Sequence, residues 1–336
     1  MSELVTILEN VTSAPKAAKY ARYRWCDYIE LRCMTHMDRR FSRDNFAEAV
    51  GEAHDTPTEY DDEPSAAVEA DADSEDTNTS TDVEEGLAAN CFDQLRWRAL
   101  TFGADWPFLI DAHAQEICLK AELSAQHYLY LQLLLSSLLK YCPKTQRKIY
   151  TGSFEALSLQ VFKILMPLGS EVHAFGAGHS TRYTGHLFER LQKLAADVRG
   201  DLRLTVHDFP RNDAGDGGLD LVAWHGLHDG RGHIPIALAQ CGCTAEGWPN
   251  KMLEASPAKL GKKLVTDHDW ATYYFMPLDL TDERDGKMHW QEWRDVNGAI
   301  VIDRLRLMRL ADTDTLNLQG VLTTSAVDQA LGLQIT

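Results

Sequence analysis

A length of 336 residues with 44% hydrophobic content suffices for one large domain or two ordinary ones around a buried core. The longest apolar stretch, Tyr128 to Leu139, is interrupted by Gln132, Ser136 and Ser137 and is far too short to cross a bilayer, so a membrane protein is excluded and a soluble, cytoplasmic one is expected. A formal charge of −17 argues against polyanion binding, which draws on Lys and Arg to displace condensed counterions, unless that charge is confined to one part of the chain.

The N-terminus shows no basic-then-apolar leader pattern. Residues 1–50 set apolar positions at helical spacing, as in Trp25, Tyr28, Ile29 and Leu31, then Phe41 and Phe46, which predicts a helical N-terminal unit. Between Glu52 and Glu85 there are 14 Asp and Glu and no Lys or Arg, with Tyr60 the single aromatic. Such a stretch buries too little apolar surface to offset its ordering entropy, so residues 51–88 read as an acidic disordered linker. The rest of the chain is left with a formal charge of about −3, which no longer opposes nucleic-acid binding. A solvated linker is the simplest role for the segment; a tethered polyanion that competes for a nucleic-acid groove is the sharper one.

Residues 89–336 read as one domain. Trp106 to Ile110 suggests a strand-rich piece, followed by an apolar helix over Ser124 to Lys140. A helix is predicted from Ser153 to Leu165, stopped by Pro167, and an amphipathic one from Thr184 to Val198, stopped by Gly200. Strand-like runs follow at Leu202 to Val206, Leu219 to Trp224 and Ile234 to Gln240. A helix over Lys251 to Leu260, an extended Tyr273 to Leu278 and a strand-like Ala299 to Leu310 complete the pattern. The seven cysteines, Cys26, Cys33, Cys91, Cys118, Cys142, Cys241 and Cys243, are odd in number and lack paired spacing, so reduced thiols are expected.

The chemistry concentrates in Gly215-Asp216-Gly217-Gly218-Leu219-Asp220-Leu221-Val222-Ala223-Trp224 and in Ile234 to Ala239 with the following Gln240-Cys241-Gly242-Cys243. An antiparallel pair of these strands sets Asp220 at the start of one and Gln240 near the end of the other. A carboxylate and a neutral oxygen placed so suit a hard cation that keeps several waters. Strand alternation turns Gln240 and Gly242 toward the site and Cys241 and Cys243 toward the core.

In these residues the chain resembles the Mrr-type branch of the PD-(D/E)XK nucleases, where a Gly-rich turn ends in Asp and the next strand carries Gln, any residue, then Lys. Phe154-Glu155 matches a Phe-Glu pair that the family often carries on an upstream helix. The resemblance spans residues 151–260. It implies an α/β fold with a restriction-endonuclease-like core, a central mixed sheet flanked by helices. It further implies Mg²⁺ or Mn²⁺ as cofactor, held by Asp220, Gln240 and Glu155. The implied activity is phosphodiester hydrolysis on DNA, RNA not being excluded, in bacterial anti-phage defence. With no P-loop or helicase motif present, protein partners in a defence complex are expected, and a homo-oligomer is possible. The departure is Gly242, at the position of the family's lysine. Lys251 is the candidate to reach back into the space a glycine leaves empty, with Lys262 and Lys263 behind it.

Other readings stand beside these. Asp216 and Asp220 are common turn residues, Gln240 suits a buried backbone group, and Glu155 near a helix start suits the dipole. Cys241 and Cys243 with His225, His228 and His233 invite zinc, but Cys-X-Cys on a strand lacks the usual spacing. Asp303-Arg304-Leu305-Arg306-Leu307 alternates like an edge strand, with Arg304 and Arg306 available to phosphate. The missing lysine also admits a catalytically degenerate binding or scaffold subunit, and the acidic segment admits a structural subunit that recruits a basic partner.

Overall fold

The computed structural model describes residues 8–15, 21–55, 77–111, 113, 115–176, 180–208, 217–291, 293–311, 321 and 324–335. The chain divides into two compact units, one of Leu8–Ala121 with Ala330–Thr336, the other chiefly Glu122–Gln329. The boundary therefore lies more than thirty residues beyond the expected one at 89.

The first unit contains α1 (Ala21–Thr35), β1 (Arg40–Ser42), α2 (Arg43–Asp55), α3 (Thr77–Phe102), β2 (Phe108–Asp111) and β3 (Glu116–Leu119). Its strands form an antiparallel sheet in the order β1-β3-β2, so the unit is mixed rather than purely helical. The acidic segment is helical at both ends, since α2 runs to Asp55 and α3 begins at Thr77; residues 56–76 lie outside the described residues. Arg98, fully buried, is held 2.8 Å from Asp27 Oδ1 and 3.0 Å from Glu30 Oε1, and the Trp106 indole N–H donates to Glu30 at 3.0 Å. Two carboxylates around one guanidinium offset the desolvation that each charge would suffer alone.

The second unit begins with α4 (Ala125–Ser137), whose Ser124 cap accepts from the His127 amide, and α5 (Arg147–Leu165). After them come β4 (Glu171–Ala174), α6 (Leu187–Asp197), β5 (Asp201–Leu202), β6 (Leu221–Trp224), β7 (Ile236–Cys241), α7 (Trp248–Met252), α8 (Pro257–Leu260), β8 (Leu264–Val265) and β9 (Ala271–Phe275). The unit closes with the hairpin of β10 (Thr281–Arg284) and β11 (Lys287–Trp290), then β12 (Ile300–Ile302), α9 (Arg304–Leu310) and α10 (Thr324–Leu331) as far as Gln329.

Five strands make one sheet in the order β12-β9-β7-β6-β4. The stretch β4-β6-β7 is antiparallel, whereas β7, β9 and β12 run parallel, so the sheet is mixed as expected. Leu187, Leu191 and Leu194 of α6 pack with Val222, Trp224, Ile236 and Leu238 to form the core on one face. Against the other face lies α5, with Phe162 at 5.4 Å from the Tyr273 ring and 5.9 Å from the Phe275 ring.

Three expectations need correcting. The strand predicted over Leu202 to Val206 is two residues long, paired with β8, and gives way to a helical turn at Val206–Asp208. Two short helices replace the one over Lys251 to Leu260, because Pro257 restarts the chain. The run Ala299 to Leu310 is strand only to Ile302, then helix. Asp303 decides this by capping: its Oδ1 accepts from the Arg306 amide at 2.9 Å. Arg304 is buried and bonds internally, to the Pro277 carbonyl at 2.8 Å and Ser137 Oγ at 3.0 Å, so it is no phosphate contact. The Arg306 guanidinium donates to the Val301 carbonyl.

Candidate metal centre on the five-stranded sheet

Gly217 and Gly218 enter β6 with φ of +67° and +80°, a left-handed pair that only glycine adopts cheaply. They deliver Asp220 to the start of β6, where its amide donates to the Ala239 carbonyl at 3.0 Å and its own carbonyl accepts from Phe175 at 2.6 Å. Asp220 is 9% exposed, and its Oδ2 accepts from the Cys241 amide at 2.7 Å. Gly176 lies against the other oxygen: a Cβ there would sit 3.6 Å from Oδ1. Asp220 thus reaches across to the end of β7, where Gln240 lies. Asp216 falls outside the described residues.

The Gln240 amide is held by one end. Its Nε2 donates to Glu254 Oε2 at 2.9 Å, whereas Oε1 is buried and has no hydrogen-bond partner among the described residues. Carboxylates accept only, so Glu254 fixes the NH₂ group and turns the amide oxygen the other way. This is the opposite of a glutamine satisfying a buried backbone group. Glu254 follows α7 and packs on the glycine turn, its Cβ and Oε2 both 2.6 Å from where a Cβ at Gly218 would be.

Glu155 lies in the third turn of α5, which begins at Arg147 rather than at Ser153, so a helix-dipole role is ruled out. It shares a stripe with Ser158 and Phe162 and therefore approaches the sheet from the α5 side, the face of Cys241. Gln240 points to the other face, so the sheet stands between the two side chains. Two thiols lie at the end of β7. Burial pushes Cys241 and Cys243 well above the usual range, the charges of Asp220 and Glu155 push both further, the Ser158 hydroxyl opposes this at Cys241, and Lys251 opposes it at Cys243. Two carboxylates and an ammonium group thus bear on one strand end. His225, His228 and His233, which a zinc site would need beside the two thiols, follow β6 at the opposite end of the hairpin.

Lys251 sits on α7 and its Nζ donates to Thr244 Oγ1 at 3.2 Å. The space beside Gly242 is not empty: a Cβ at that glycine would lie 2.0 Å from the Tyr274 hydroxyl. Lys251 therefore stops short of that space, on Thr244. Lys262 and Lys263 lead into β8, in the two-stranded sheet with β5.

Among the described residues no three His, Cys, Asp or Glu side chains gather around one point. Of the expected ligands, Asp220 and Gln240 lie on adjacent strands of the sheet, whereas Glu155 lies on α5 against the opposite face. Sequence reasoning missed Glu254 and Tyr274. The first has no motif to mark it, and the second becomes visible only once β7 and β9 are known to be parallel, with Gln240 beside Tyr274. The chain matches no known family model, no curated protein and no solved structure.

Proposed function

We propose that this chain is a metal-dependent nuclease with a restriction-endonuclease-like core. The five-stranded sheet, antiparallel over β4-β6-β7 and parallel over β7-β9-β12 with α6 on one face and α5 on the other, is compatible with the mixed sheet flanked by helices that the sequence resemblance implies. The observation that carries the reading is the Gln240 amide, anchored through its nitrogen by Glu254 with its oxygen buried and unpartnered among the described residues, on the strand that pairs with β6 directly after Asp220. A bound Mg²⁺ or Mn²⁺ supplies Lewis-acid stabilisation of charge on a phosphate and lowers the pKa of water. Asp220 and Gln240 hold that ion, Glu155 holds it or orders its waters, and Lys251 contributes positive charge at the strand end. The substrate is DNA, with RNA as the alternative, in a bacterial anti-phage system with partner proteins.

A second reading, a degenerate nuclease fold kept as a binding subunit, is favoured by Gly242, since the position of the family's lysine is blocked by Tyr274. Supercoiled plasmid and a structured RNA, each incubated with the full chain and Mg²⁺ or Mn²⁺, separate the two. The nuclease reading predicts cutting that chelation stops and that Asp220→Ala abolishes. No cutting with either metal leaves the binding subunit.

A further inference from the structure

Four polar groups associated with the Gln240 face are buried without hydrogen-bond partners among the described residues: Gln240 Oε1, the Tyr274 hydroxyl, Trp248 Nε1 and Thr272 Oγ1. Buried polar atoms are nearly always paired, so an orphan marks a group awaiting a partner. Tyr274 is fully buried, stands beside Gln240 in the register of β9 on β7, and stacks on Trp248 at 6.0 Å. Its hydroxyl reaches over Gly242, where a Cβ would be 2.0 Å away. It therefore occupies the place from which the family's lysine would extend. Glycine at 242 is what makes room for it, because any larger residue would displace the ring.

We propose that the Tyr274 hydroxyl replaces that lysine as the donor to a non-bridging oxygen of the scissile phosphodiester, the inference resting on the nuclease reading above. In the hydrolysis one water oxygen forms a bond to phosphorus as one P–O ester bond breaks, and the leaving oxygen takes up a proton. Tyr274 transfers none; it gives a hydrogen bond to the oxygen on which charge grows. A hydroxyl with no hydrogen-bond partner of its own among the described residues has its proton available to give to that oxygen. A neutral donor also spares the site a buried ammonium beside an amide oxygen and an indole.

The test compares wild type, Tyr274→Phe, Lys251→Met and Asp220→Ala on bis(p-nitrophenyl) phosphate with Mn²⁺. Tyr274→Phe removes only the hydroxyl and should fold as wild type. It is expected to lower kcat on the order of 10²-fold at unchanged KM, the usual effect of losing one preorganised donor. A second readout needs no turnover: inorganic phosphate added to the full chain should perturb the near-ultraviolet tyrosine difference spectrum in wild type and not in Tyr274→Phe. If Tyr274→Phe hydrolyses the ester as wild type does while Asp220→Ala is inactive, this inference falls and the nuclease reading stands. The same holds if Lys251→Met alone loses activity. If wild type itself does not hydrolyse the ester, both fall.

Discussion

Asp303 is a carboxylic acid sealed from water at 2% exposure, with Asp279 also buried nearby. Burial, aided by the Asp279 charge and opposed by the amide and guanidinium of Arg306, pushes its pKa up to about 7. The folded value lies above the ordinary 3.8, so between the two the native state binds the extra proton. The stability contributed by this group is full at acid pH below the ordinary value and is lost as pH rises through about 7. Asp303→Asn keeps an oxygen to cap α9 but cannot titrate. The wild-type advantage over Asp303→Asn in urea unfolding should therefore shrink as pH rises across that window, with a slope approaching about 1.4 kcal/mol per pH unit; a difference independent of pH contradicts it. At this scale the sequence was legible where the signal was local. Asp220 and Gln240 follow from a glycine turn and strand alternation. Glu254 and Tyr274 depend on how distant segments pack, and Arg304, read as a surface charge, is buried because three partners from distant segments accept its bonds.

The glycine turn into β6 is the element on which the site depends most. A Cβ at Gly218 is strained at φ +80° and would meet Glu254 at 2.6 Å, with the carboxylate that holds Gln240 in the way. Gly217, at φ +67°, would meet only the flexible end of Leu187, at 3.3 Å. Both Gly217→Ala and Gly218→Ala should lose about 1–3 kcal/mol by thermal unfolding, from backbone strain. Only Gly218→Ala should also weaken divalent-metal binding, because it displaces Glu254. Equal metal affinity in the two variants would detach Glu254 from the site. The helices α4, α5 and α6 were legible because their apolar residues repeat at helical spacing and Gly200 ends the third; its amide bonds back to Ala195 at 2.8 Å. The run after Asp303 fits both periods, and a single cap turned it into helix. The helical spacing over Lys251 to Leu260 is interrupted because Pro257 takes the first turn of a second helix.

Over the whole molecule, the α/β class and the mixed sheet were readable, whereas the division into units was not. The N-terminal strands β1, β2 and β3 are only three or four residues long and are defined by their pairing with one another rather than by composition. The acidic run reads as one segment from its charge, yet helices occupy both of its ends, so any deletion that tests it should be confined to residues 56–76. The candidate centre draws residues from α5, β6, β7 and the segment after α7, and its coherence as one site is the claim on which the account turns. Titration of the metal-free full chain with Mn²⁺, followed by electron paramagnetic resonance of the free ion, tests it most directly. Wild type should bind Mn²⁺, Asp220→Ala should not, and Glu254→Gln should bind about 10- to 100-fold more weakly, as when the partner that orients a ligand is lost. Equal binding by all three, or none by wild type, would contradict it.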